Sequence, residues 1–186
     1  MDNSILEAVK VLKEGGLILY PTDTIWGIGC DATNEKAVAK VYALKQREDS
    51  KALVMLAADL DMVARYVQEI PQMAIQLVEV NDAPMTIIYP GATGLAPNAI
   101  AEDGSVGIRI TQEEFSHKLC ERFRKPLVST SANVSGEPSP ANFSEISATI
   151  KAGVDYIVRY RQDDLSKAAP SHIIKLGAGG LVKIIR

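Results

Sequence analysis

Apolar positions recur along this chain with two periods, and the two alternate from one end to the other. Ile5, Val9 and Leu12 share one helical stripe, with Ser4 placed to cap it and Glu7 at the capping-box position. Gly15-Gly16 ends that helix. Residues 17–20 are a short apolar run, the mark of a buried strand, and Pro21 closes it and opens a polar turn. Asn34 is placed to cap a second helix that turns Ala37, Val38, Val41 and Leu44 inward. Residues 53–57 read as a strand, followed by a helix capped by Asp59 that uses Leu60, Val63 and Tyr66. Pro71 suits the first turn of a helix carrying Ile75 and Val78.

Residues 85–89, 106–110 and 127–130 predict further strands, the second with Arg109 inside an apolar run. Between the first two, residues 90–104 are rich in Pro, Gly and Ala. They form the longest irregular stretch, and loops of that length are often functional. A helix with Phe115, Leu119 and Phe123 on its face separates the last two strands. Asn142 and Glu145 form a capping box for a helix holding Ile146 and Ile150. The tail is strand-rich, over residues 156–158, 172–176 and 181–185, and Gly177 to Gly180 reads as a hairpin turn. Helices and strands interleave without repeat or linker. This predicts an α/β fold with a mixed sheet, in a single domain over residues 1–186.

Composition narrows the function classes. A chain of 186 residues that is 47% hydrophobic and 23% charged can bury a sizeable core. Its net charge of −3 argues against tight, non-specific nucleic-acid binding and leaves room for a local basic patch. The N-terminus has no basic region or signal-like apolar run, and no stretch approaches the ~20 apolar residues of a membrane span. A cytoplasmic location is expected, with no membrane partner. Cys30 and Cys120 read as two buried thiols of a reducing compartment. With His117 and His172 they make no zinc-site spacing, so no structural metal is expected.

The standard nucleotide loops and the nucleophile elbow are absent. Four stretches remain as carriers of chemistry. Tyr20-Pro21-Thr22-Asp23-Thr24-Ile25-Trp26-Gly27 crowds hydroxyls and a carboxylate where a strand becomes a loop, although an ordinary turn uses the same residues. Lys45-Gln46-Arg47, followed by Ser50-Lys51, closes a helix, where cations also complement the helix dipole. Arg109 lies between Ile108 and Ile110 and needs an edge, an ion pair or an anion. Ser129-Thr130-Ser131-Ala132-Asn133 leaves the carboxyl end of a strand, where α/β sheets place ligands.

Together with Ser135-Gly136 and Pro170-Ser171, these segments occur in one order that resembles the YrdC/TsaC family of threonylcarbamoyl-AMP synthases. The resemblance covers about residues 5–186. It implies an open twisted mixed α/β sheet with flanking helices and a large cationic concave face, without the accessory C-terminal domain of longer relatives. It implies synthesis of threonylcarbamoyl-AMP from L-threonine, bicarbonate and ATP with release of pyrophosphate. Magnesium is expected on the phosphates. A separate complex then transfers the group to tRNA, and RNA contact on the cationic face is a further expectation. By family position Thr22, Arg109, Ser129 and Ser171 form the threonine pocket. Lys45, Arg47, Lys51, Ser105, Ser131, Asn133, Ser139 and Arg186 form the ATP side, with Lys45 and Arg47 as catalytic organisers. The pattern departs at Trp26, Ala52, Asn81-Asp82 and His172. Loops 90–104 and 160–170 are the expected lids. Two other readings stand beside the synthase: a YciO-like paralogue with another substrate, and a double-stranded-RNA-binding module.

Overall fold

The computed structural model describes residues 1–47 and 53–186. In chain order the elements are α1 (Asp2–Lys13), β1 (Ile18–Tyr20), β2 (Gly27–Gly29), α2 (Glu35–Lys45), β3 (Val54–Ala57), α3 (Leu60–Ala64), α4 (Gln72–Val80) and β4 (Met85–Tyr89). They continue with β5 (Val106–Ile110), α5 (Glu114–Phe123), β6 (Leu127–Val128), β7 (Thr130–Ser131), α6 (Ala148–Gly153), β8 (Tyr156–Ile157), β9 (His172–Leu176) and β10 (Val182–Ile184). The strands form two mixed sheets. One runs β7-β2-β1-β8 and the other β10-β9-β4-β5-β3-β6.

The helices start and stop where their side chains can satisfy end groups. Asn34 Oδ1 accepts the Ala37 amide at 3.1 Å, and a left-handed Gln46 (φ 51°) ends α2. That termination leaves Lys45 on the buried face and sends Arg47 onward. Asp59 likewise accepts the Met62 amide at 2.8 Å. α1 begins earlier than Ser4 suggests. The Ile5 amide bonds the Met1 carbonyl, which adds a turn, and Ser4 is buried inside it. α4 turns Ala74 to the core and leaves Ile75 exposed, so its packing face is rotated from the expected one.

One strand is unexpected and two expected elements differ. β2 escapes sequence reading because Gly27 and Gly29 look like turn residues. The glycines are required by close packing: a Cβ on Gly29 would lie 2.5 Å from the Tyr20 ring, and one on Gly27 would lie 3.2 Å from Ser129 Oγ. The single strand expected over 127–130 is two. β6 pairs with β3 in one sheet and β7 with β2 in the other, so the chain changes sheets at Ser129. The helix expected from Asn142 breaks at Ile146. Ser147 Oγ accepts the Ile150 amide and starts α6, while Glu145 turns back to the Ala141 amide.

The core is formed by Leu12, Ile18, Leu19, Ile28, Val41, Met55, Leu56, Phe115 and Leu119, among others. Each such side chain contributes ~1.5–3 kcal/mol on burial. Cys30 and Cys120 are buried free thiols within it, as expected, and burial raises both thiols above their usual range. Loop 90–104 is tied down at several points. The Ala96 amide bonds Ala32 O, and Tyr42 Oη donates to Asn98 O at 2.7 Å.

Candidate active site

The change of sheets at Ser129 opens a cavity of ≈ 690 Å³ between the two sheets and the segment 160–170. That volume lies within the ~300–1,000 Å³ of small-molecule sites. Its walls carry Arg47, Arg109, Lys167 and Arg186, with the hydroxyls of Thr24, Ser129, Thr130, Ser131, Ser139 and Ser171. No Asp or Glu is among the described residues that line it. The chemistry on offer is therefore recognition of anions by cations and neutral donors.

One wall is built around Arg109. Its strand pairs in register with β3 and β4, so the side chain emerges from a packed sheet with little freedom. Arg109 Nε donates to Asp23 Oδ1 at 2.9 Å, and Nη2 donates to Thr24 Oγ1 at 3.2 Å. Both members of the pair are buried. Burial raises the Asp23 carboxyl above its usual range, and the Arg109 charge opposes that rise. With Nε and one Nη2 hydrogen taken, Arg109 has Nη1 and the other Nη2 hydrogen to offer a ligand. Thr22 lies one layer behind. Its hydroxyl donates to Ile25 O at 2.7 Å and accepts the Thr24 amide at 3.1 Å, so it shapes the turn while Thr24 faces the cavity. Ser171 Oγ sits 2.9 Å from Thr86 Oγ1, and its carbonyl accepts Arg186 Nε at 3.2 Å.

The opposite wall rests on Lys45. Its ammonium is buried and donates to the carbonyls of Ser131 at 2.6 Å and Asn133 at 2.7 Å. Burial, reinforced by the Arg47 charge, lowers its pKa to about 8. Lys45 thus supports the loop that presents Ser131, and is not itself a lining residue. Arg47 does line the cavity, its guanidinium 5.9 Å from the Tyr42 ring centroid. Asn133 is also held from within, its Nδ2 donating to Val134 O and Glu137 O.

Of the residues singled out by sequence, Arg47, Arg109, Ser129, Ser131, Ser139, Ser171 and Arg186 meet in this cavity. Thr22, Lys45 and Asn133 stand directly behind it. Ser105 does not join them. It immediately precedes β5, four residues from Arg109 and roughly 13 Å away at ~3.3 Å per residue, where its hydroxyl donates to Asp103 Oδ1 at 2.5 Å. Lys51 and Ala52 lie outside the described residues. Sequence reasoning did not single out Lys167, which sits in an irregular segment without periodicity. It noted Asp23 and Thr24 without their role, which the need of Arg109 for a buried counter-charge points to. Trp26 lines the cavity and packs on Phe143 with centroids 4.8 Å apart, whereas His172 is exposed at the start of β9. The Asn81-Asp82 turn is closed by Asn81 Nδ2 donating to Ala83 O. Loop 90–104 contributes nothing to the walls, whereas segment 160–170 contributes Lys167, Ala168 and Pro170.

Among the described residues no helix is long and apolar enough to cross a membrane. Comparison with known proteins agrees with the geometry. The family model Sua5/YciO/YrdC, described as telomere recombination, matches residues 10–186. A protein of Chromohalobacter salexigens named threonylcarbamoyl-AMP synthase is 33% identical over 151 residues, 81% of this chain and 82% of that one. The crystal structure of P. abyssi Sua5 complexed with L-threonine superposes with a TM-score of 0.83 at 25% identity. The match covers 98% of this chain and 53% of that chain, so this chain spans about half of Sua5. E. coli YciO shares the fold, with a TM-score of 0.85 at 22% identity over 100% of this chain and 89% of that one. A matching sequence order, a cationic cavity at the sheet crossover and a family match over nearly the whole length lead to one conclusion: this chain belongs to the Sua5/YciO/YrdC family.

Proposed function

We propose that this protein is a threonylcarbamoyl-AMP synthase, joining L-threonine, bicarbonate and ATP with release of pyrophosphate. The observation that carries the reading is the cavity wall, which has four cations and no carboxylate among its described residues. Every reacting partner is anionic or becomes so. In the first step bicarbonate releases hydroxide to give carbon dioxide, the threonine amine attacks its carbon, and the proton lost from the amine combines with that hydroxide as water, giving N-carboxy-threonine. A carbamate oxygen then attacks the α-phosphorus of ATP, the bond to the bridging oxygen breaks, and pyrophosphate leaves. Neither step needs a protein nucleophile, so positioning and charge neutralisation carry the catalysis.

Arg109 receives the threonine carboxylate on its Nη end, between the hydroxyls of Ser129 and Ser171. Arg47, Lys167 and Arg186 face the phosphates, with Ser131 and Ser139 as neutral donors. Magnesium belongs to the substrate in this reading. It arrives on the phosphates, held by phosphate oxygens and water, and among the described residues no group of three His, Cys, Asp or Glu offers it a cage. The carbamate decomposes in water, and residues 160–170 are the wall best placed to shield it. The product serves a downstream complex that modifies tRNA in the cytoplasm.

The test is pyrophosphate release from ATP. It is expected to require both L-threonine and bicarbonate. Release indifferent to threonine would favour a paralogue with another substrate, and absence of release under magnesium would remove the synthase reading.

A further inference from the structure

The segment after β8 turns on a residue whose backbone does not suit it. Arg161 has φ 59°, in the left-handed region that side-chain-bearing residues rarely occupy. Its guanidinium makes contacts that hold it there. Nη1 donates to the Thr22 carbonyl at 3.3 Å and lies 3.4 Å from Glu113 Oε1. Nε and Nη2 donate to Asp164 Oδ2 at 3.2 and 3.0 Å.

Each partner is itself fixed. Glu113 caps α5, its carboxylate accepting the Phe115 amide at 3.1 Å and the Ser116 amide at 2.7 Å. Asp164 Oδ1 accepts the Ser166 amide and hydroxyl at 2.9 and 2.6 Å, which stiffens the chain just ahead of Lys167. Thr22 organises Thr24, and Thr24 Oγ1 accepts from Arg109. One side chain therefore joins the turn after β1, the start of α5 and the 161–170 strap, with a void of ≈ 20 Å³ left between strap and turn.

We propose that Arg161 is a positioning residue for the threonine pocket, clamping the strap to the turn that orients Arg109. The clamp fixes the pocket at both ends, through Thr24 on the turn and through Ser171 where the strap enters β9. Arg161 does not line the cavity, so it acts through these neighbours. The substrate named here rests on the synthase reading. The clamp itself rests on the contacts above.

Arg161→Gly separates this role from a merely structural one, because glycine adopts φ 59° without strain. The variant is expected to keep the wild-type melting temperature or exceed it. Its KM for L-threonine is expected to rise about tenfold, as a pocket displaced by a fraction of an ångström would do. Its KM for ATP is expected to stay within about twofold. Arg161→Lys keeps one cation without the fork and should fall between the two. An unchanged threonine KM overturns the proposal, as does a rise of both KM values together with a lower melting temperature. Amide hydrogen exchange over residues 162–169 needs no turnover and should quicken in Arg161→Gly; unchanged exchange also overturns the proposal. If the wild type releases no pyrophosphate with threonine, the synthase reading fails by itself, and the exchange measurement still decides the clamp.

Discussion

The two walls of the cavity hold buried cations in opposite ways. On the Arg109 wall the charge is balanced inside the protein by Asp23 at 2.9 Å. On the Lys45 wall the ammonium is held by two neutral carbonyls, beside Arg47. A balanced wall suits a ligand that is itself balanced, such as a zwitterionic amino acid. A wall with surplus positive charge suits a polyphosphate. The difference supports the proposed placing of threonine on one side and ATP on the other.

Substitutions on each wall should therefore fail differently. Arg47→Ala is expected to lower kcat/KM about 10³-fold, the scale for losing a donor aimed at developing charge, with little change in melting temperature. Retained activity would take Arg47 out of the centre. Arg109→Ala is expected to raise the threonine KM about 100-fold and to cost about 3–5 kcal/mol of stability, since it strands a buried carboxylate. Adding Asp23→Asn should restore the stability and leave the threonine defect. Lowering the pH toward 4 should also shrink the deficit. An unpaired Asp23 has a folded-state pKa well above its unfolded value, so its penalty is present above that unfolded value and fades as the carboxyl takes up a proton. Denaturant titrations at pH 8 and pH 5 check this; an equal deficit at both would contradict the buried pair.

Lys45→Met should act through the loop. It leaves the Ser131 and Asn133 carbonyls without their donor, costing about 1–3 kcal/mol, and should raise the ATP KM about tenfold while sparing the threonine KM. The smallest effect concerns pH. With Lys45 lowered to about 8, the folded protein binds fewer protons than the unfolded chain between about 8 and the ordinary lysine value. Its contribution to stability therefore rises with pH across that window, while the cation beside Arg47 is lost. The ATP KM is expected to climb a few-fold between pH 7 and 9 in the wild type and to stay flat in Lys45→Met. A parallel climb in both would assign the change to another group.

Where local chemistry decides an element, it was legible in the residues. Asn34 and Asp59 cap their helices as their side chains suggest, and residues 85–89 and 106–110 are strands to the residue. Where tertiary packing decides, the sequence was silent or misleading. Gly27 and Gly29 form a strand because Tyr20 and Ser129 need the space that a Cβ would occupy. Residues 127–130 look like one strand because nothing local marks a change of sheet. The site divides the same way. Arg109 stood out because an arginine in an apolar strand must answer for its charge. Lys45 looks in the sequence like a ligand-facing cation, and its burial beneath two carbonyls follows from the roll of α2 against residues far along the chain. Lys167 had no pattern to reveal it.

Ser129 belongs to neither sheet and touches both: its amide bonds Val54 O in one, and its hydroxyl sits beneath Gly27 in the other. The residue before it is pinned as well, with Val128 N donating to Cys30 O and Val128 O accepting from Tyr20 Oη. Repacking between the sheets will therefore be felt at this point first. In a library of conservative core changes around Tyr20, Cys30 and Val128, many members should express and melt normally yet turn over poorly. Mutational tolerance scored by folding would rate these positions permissive, and tolerance scored by activity would rate them strict. The gap between the two scores would map how closely the floor of the cavity depends on the alignment of two sheets that share one serine.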